Sequence, residues 1–163
     1  MEKTFILDEI NNLKSKLAFI DRQLKKYLSQ VEYSSYLLSI PGVGIVTAAG
    51  FLGEIGDISK YSSAKEIIKL AGLNLIEISS GQKKGAKKLS KRGNSILRYI
   101  LYQCAVVAIA KNNEINKYFT YQIKTKNKMK MLVAVQCKLA RIMFALLKYK
   151  KYYDTKVLAQ NIF

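Results

Sequence analysis

The chain has 163 residues, half of them apolar, and a formal net charge of +17; this is long and apolar enough for one domain with its own core, and excludes a chain disordered by composition. There is no histidine, which excludes a Ser-His-Asp triad, a histidine-ligated zinc site and a histidine general base within the chain. The charge is lopsided: residues 1–77 carry nine Lys/Arg and nine Asp/Glu, whereas residues 78–153 carry eighteen Lys/Arg against one acid, Glu114, an asymmetry that points to a polyanionic partner, nucleic acid rather than membrane.

Residues 5–33 read as one long helix. Ile6, Ile10, Leu13, Leu17, Ile20, Leu24, Tyr27 and Val31 alternate steps of four and three, a heptad seam near the lower length limit for a coiled coil. Two readings stay open: self-association through the seam, giving a homo-oligomer, or one amphipathic helix packed on its own domain. Residues 34–58 then read as two short helices around Pro41-Gly42-Val43-Gly44. Pro41 stops the first, and the glycines allow backbone angles that a side chain forbids. The small residues Thr47, Ala48, Ala49, Gly50 and Gly53 permit close helix approach on the second.

Ser62 or Ser63 is placed to cap a helix over Ala64–Leu70, with Glu66 three residues after Ser63 as in a capping box, and Gly72 ends it. Residues 74–79 alternate apolar and polar and predict a short strand. A basic loop follows, and Asn94 caps an apolar helix over Ser95–Ala110. Helices around Ile115–Lys124 and Lys130–Lys148 complete the pattern, without repeat or low-complexity linker. The expectation is a mostly helical, all-α domain over residues 38–153, preceded by the long helical segment 1–37, a candidate coiled coil, and followed by a tail over 154–163.

The longest apolar runs, such as Ala105–Ala110 and Ile142–Leu147, are too short to span a bilayer, and charged Glu2 and Lys3 stand where a signal peptide would begin. Cys104 and Cys137 sit inside apolar helical patterns, as buried reduced thiols of a cytoplasmic protein do.

Four constellations carry potential chemistry. The first is the Pro41–Gly44 turn with its flanking helices, which has the form of a helix-hairpin-helix: Gly42 and Gly44 would present backbone N–H groups to a phosphate. The second is the run SSGQKKGAKKLSKRGNSILR at 79–98. Its cations Lys83, Lys84, Lys87, Lys88, Lys91 and Arg92, with Arg98 one turn into the next helix, suit a polyanion backbone. The third is Ser80 at the mouth of that loop. Its hydroxyl is a weak nucleophile without a base, metal or cationic setting, and from spacing alone it reads as a turn residue. The fourth is Lys124, Lys126, Lys128 and Lys130, continued by Lys138 and Arg141, a second phosphate-tracking stretch. Tyr118, Phe119 and Tyr121 lie nearby, at least two of them expected in the core.

Taken in order, IPGVGIVTAAGFLGEIGD, the AGL at 71–73, SSGQKKGAKKLSKRGNSILR and NKMKMLVAVQCKLARIMFALLK resemble the C-terminal domain of the DEDD-type insertion-sequence transposases, the family that includes the Piv DNA invertases. The resemblance implies a DNA recombinase built from two domains. A RuvC-like N-terminal domain would bind magnesium through four acidic residues, and the C-terminal domain would supply a serine that becomes covalently attached to DNA. That serine falls on Ser80. The family is also similar to enzymes that use a structured guide RNA, so some cations would hold RNA. The chain departs from the pattern in having no RuvC-like half, in Asn74-Leu75 where a proline is usual, in Asn127 for a glycine before Lys128, and in Cys137 for an arginine before Lys138. It offers no carboxylate cluster of its own and no cofactor site; magnesium would come with the absent domain. The reading is therefore the DNA-binding part of a transposase, not expected to act alone. Two alternatives remain, a non-catalytic helix-hairpin-helix module binding nucleic acid and a helical dimerisation protein with an incidental basic face.

Overall fold

The computed structural model describes residues 2–77 and 87–155. Along them run α1 (Glu2–Ser29), α2 (Ser34–Leu38), α3 (Ile45–Ile55), a single 3₁₀ turn (Ile58–Lys60), α4 (Ala64–Leu70), β1 (Leu75–Glu77), β2 (Lys87–Leu89), α5 (Ser95–Lys111), α6 (Asn113–Gln122) and α7 (Lys128–Tyr149). The fold is mostly α-helical, as predicted, with one short two-stranded antiparallel ribbon.

Two helices organise the core because their apolar residues recur at helical spacing. On α5, Leu97, Leu101, Cys104, Ala105 and Ala108 have no exposed surface, and on α7 Val135, Leu139, Ala140 and Met143 have none. Each fully buried large apolar side chain contributes about 1.5–3 kcal/mol. α5 lies between α3 and α7, and α7 also packs on α2, α4, α6 and the 3₁₀ turn. The α3–α5 contact uses the small residues of α3: Ile100 Cδ1 lies 2.7 Å from where a Cβ on Gly50 would stand.

The helix ends follow their caps. The Asn94 side chain accepts from the Leu97 N–H at 2.9 Å, as predicted, and its amide also donates to the Glu54 carboxylate of α3. Asn112 and Asn127 cap α6 and α7 in the same way, accepting from Glu114 and Ile115 and from Met129 and Lys130. α4 starts differently from the expected capping box. Ser63 makes no side-chain cap bond; instead the Glu66 carboxylate accepts from the Ser62 N–H and hydroxyl, which hold its pKa below the usual carboxylate value. α4 ends on Gly72, at φ +67°, with the Leu73 N–H reaching back to the Ile68 carbonyl at 3.0 Å.

α1 ends four residues before the predicted helix does, because tight turns at Gln30, Val31 and Ser34 carry the chain into α2. Only its C-terminal end joins the body. Leu28 is buried, and Leu24, Tyr27 and Val31 face Ala49, Leu52 and Gly53 of α3. The rest of the seam is in solvent: Ile6, Ile10, Leu13, Leu17 and Ile20 are exposed, as are Phe5, Leu7 and Phe19. Leu37, just before residue 38, is fully buried in the same core as α5. At the other end, Tyr153 donates its N–H to Ser39 and accepts from Asn112, so the chain after α7 folds back on α2. No helix among the described residues is long and apolar enough to cross a membrane.

Candidate nucleic-acid interface

Ser80, Lys83 and Lys84 lie outside the described residues. What the structure gives is the frame on either side of them. Lys87–Leu89 of the basic run form the second strand of a β-hairpin: Leu75 pairs with Leu89, Ile76 with Lys88 and Glu77 with Lys87. Alternation along a strand puts Leu75, Glu77, Lys87 and Leu89 on one face and Ile76 and Lys88 on the other. The sequence predicted β1 but not β2, since lysine-rich KKL carries no apolar alternation and reads as loop until its partner strand is known.

Backbone hydrogen bonds at its described end fasten the hairpin to the body. Ser90 donates its N–H to the Asn74 carbonyl, Lys91 to Gly72 and Asn94 to Leu70, at 2.9, 2.9 and 2.7 Å. Lys91 takes a left-handed backbone, φ +52°, and Gly93 follows at φ +145°. A Cβ on Gly93 would stand 2.3 Å from the Leu70 carbonyl oxygen, so only glycine fits both the angle and the approach. Arg98 closes the junction. Its Nη1 donates to the Ala71 carbonyl at 2.9 Å and to the Lys91 carbonyl at 3.3 Å. The sequence placed Arg98 with the phosphate-binding cations; in the fold its guanidinium joins the end of α4 to the end of the hairpin.

Lys87, Lys88, Lys91 and Arg92 are exposed, and so are Lys124, Lys126, Lys128 and Lys130 before and at the start of α7. These basic stretches, at 87–92 and 124–130 in the chain, meet across a groove of about 650 Å³. Leu73, Leu75 and Leu89 form one wall and Met129, Val133, Ala134 and Cys137 the other, with Lys87, Lys91 and Lys130 among the lining. Neither the groove nor its joining of the two cation runs is legible from spacing alone.

Lys138 does not continue that surface. It is 5% exposed, with its Nζ 3.8 Å from the centre of the Tyr118 ring. Burial first, and the Arg141 charge second, pull its pKa down to about 8. Phe119 is buried and Tyr118 packs against the core, while Tyr121 is in solvent, matching the expectation for this trio. Cys104 is wholly buried, and burial pushes its thiol up to about 12; Cys137 is half-buried and its thiol is also raised.

The PGVG turn divides its two glycines between two tasks. Gly42, at φ +97°, lies on the backbone of α5: a Cβ there would stand 3.1 Å from the Cα and N of Ala108. Gly44 is exposed at the start of α3, with open space around it and no side-chain cap on the helix. Asp21, Arg22 and Lys25 of α1 flank Gly44, Ile45 and Val46. The first N–H groups of α3 therefore face solvent beside two cations and one acid.

Among the described residues no group of three or more His, Cys, Asp or Glu could hold a metal ion.

The model of the transposase IS116/IS110/IS902 family matches residues 34–120, from α2 to within α6. The transposase for insertion sequence element IS1328 of Yersinia enterocolitica is 32% identical over 127 residues, covering 76% of this chain and 38% of that protein. The transposase for insertion sequence element IS1111A of Coxiella burnetii is 28% identical, over 89% of this chain and 41% of that protein. The pilin gene-inverting protein of Moraxella lacunata is 27% identical, over 95% of this chain and 50% of that protein. The chain thus spans half or less of the length of each of these relatives.

Proposed function

The chain belongs to the transposase IS116/IS110/IS902 family, and on that premise we propose that it is the DNA-binding part of a transposase, which grips DNA phosphates with the basic hairpin and the start of α7. The observation that carries this reading is the meeting of the two cation runs at one groove, Lys87 and Lys91 from one side and Lys130 from the other. Lysines on a shared surface neutralise successive phosphates and release counterions, which gives affinity without reading sequence. Lys88, Arg92 and Lys128 extend the track, and Lys83 and Lys84 add to its cations. Arg98 serves it by fixing the hairpin's end. Gly44 and the open start of α3, beside Arg22 and Lys25, offer a second phosphate position. The same cations would also hold a structured guide RNA.

Ser80 is the nucleophile in this reading. Its Oγ bonds to phosphorus, one bond from phosphorus to a deoxyribose oxygen breaks, and the serine proton ends on the departing oxygen. The lysines that follow it in sequence would stabilise the charge on the phosphoryl oxygens as the bond forms. Magnesium belongs with the acidic RuvC-like domain, and no step on this chain's residues runs through it. The exposed seam of α1 supports pairing with a second copy, since eight large apolar side chains between Phe5 and Ile20 lie in solvent along that helix.

The test supplies the RuvC-like domain of a relative in trans with magnesium and labelled DNA, and looks for a protein–DNA adduct that survives denaturation. Ser80→Ala should abolish the adduct and leave affinity within about twofold, since a removed hydroxyl makes no change in charge. An equal loss of adduct and affinity would sink the nucleophile assignment.

A further inference from the structure

The groove between the hairpin and α7 has more apolar surface than a phosphate track needs. Leu75 and Met129 are each 64% exposed at its sides, and Leu73, Leu89, Val133 and Ala134 continue the apolar lining between them. A surface that only follows a sugar-phosphate backbone gains nothing from such side chains. The cations tell what kind of occupant suits it. The charged side chains in the lining are Lys87, Lys91 and Lys130, with Glu77 across the ribbon from Lys87. An apolar protein segment would bury its face there but leave three ammonium groups without anions. A polynucleotide supplies both requirements at once, a flat, weakly hydrated base and a phosphate on each side of it. The volume, about 650 Å³, lies in the range of small-ligand sites.

We propose that this groove receives one unstacked nucleobase of a single-stranded stretch of the bound polynucleotide, its ring between Leu75 and Met129 and its flanking phosphates on Lys87, Lys91 and Lys130. The proposal rests on the polynucleotide-binding reading and adds to it a place where a strand leaves the duplex. Apolar side chains sandwich the base, and no aromatic residue is needed for this. Because the base must be unpaired to enter, a single strand fills the groove, whereas an intact duplex stays on the lysines at its rim.

Cys137, half-buried in the lining, reports on occupancy, and fully buried Cys104 serves as the unreactive control. The experiment follows iodoacetamide alkylation of Cys137 by mass spectrometry, in the full chain, with oligothymidylate or with a duplex of equal length. Oligothymidylate should slow the reaction about tenfold, and duplex, held by the lysines at the rim, should slow it about twofold at most. Met129→Gln and Leu75→Gln, neutral changes at exposed positions, should weaken oligothymidylate binding about tenfold with the salt dependence intact. Their duplex affinity should stay at the original value. Bound oligothymidylate with Cys137 alkylating at the free rate would overturn the groove assignment and spare the DNA-binding reading. Equal protection by duplex would also overturn it, since a backbone lying over the groove would suffice. Failure of both nucleic acids to bind would remove the DNA-binding reading and the proposal with it.

Discussion

Replacing Arg98 by alanine separates two roles that its position in the sequence leaves mixed. The guanidinium makes two hydrogen bonds to backbone carbonyls, at 2.9 Å to Ala71 and 3.3 Å to Lys91. A hydrogen bond from a charged donor contributes about 1.5–3 kcal/mol; the longer one belongs at or below the low end. Arg98 is half-buried, and water takes over part of what is lost, so the net cost of Arg98→Ala is about 2 kcal/mol. For a chain of this size that lowers Tm by about 4–8 °C. Arg98→Lys keeps the charge but reaches the two carbonyls less well, and should cost about half as much. Thermal unfolding by circular dichroism measures both. Titration with duplex DNA well below Tm, at several salt concentrations, measures the other role. If Arg98 is a clasp, the slope of log affinity against log salt stays the same in the variants. If Tm is unchanged while the slope falls by about 0.9, the signature of one lost phosphate contact, the clasp argument is refuted.

Gly42→Ala should destabilise the fold by about 1–3 kcal/mol, seen as a lower urea midpoint, because φ is +97° and the new Cβ would press on the Ala108 backbone. Lys138 predicts a pH dependence of unusual sign. Its folded pKa, about 8, is below the unfolded 10.5, so between these values the unfolded chain holds more protons and stability rises with pH. Cys104, raised from 9.0 to about 12, acts oppositely above pH 9. The difference in urea stability between the protein and Lys138→Met isolates the lysine, and a difference that does not vary from pH 8 to 10.5 would contradict the burial argument. Replacing both Leu13 and Leu17 by glutamate should convert the dimer to monomer in analytical ultracentrifugation and leave the domain folded, since both side chains are in solvent in the single chain.

Local chemistry made much of the fold legible. Periodicity located the long helices, and the α4 and Asn94 boundaries came from turn and cap residues that act within a few positions. The misses depend on distant partners. The side-chain competition at Ser62, Ser63 and Glu66 is local, yet spacing alone cannot say which hydroxyl wins. β2 exists because β1 lies opposite it, and KKL has no strand signature of its own. Arg98 and Lys138 look alike on paper as cations in basic stretches. One reaches the carbonyls of Ala71 and Lys91, the other lies over Tyr118, and only the packing of α4 and α6 beside them reveals it. The groove is the same kind of feature, made by two segments whose meeting no sequence period encodes.

The most direct measurement is duplex affinity as a function of salt, for the protein and for a variant with Lys87, Lys88, Lys91 and Arg92 all changed to glutamine. About eight phosphate contacts predict a slope near −7, and losing four of them predicts about −3.5. Unchanged slopes in a folded variant would contradict the claim that the basic hairpin is the DNA-binding surface.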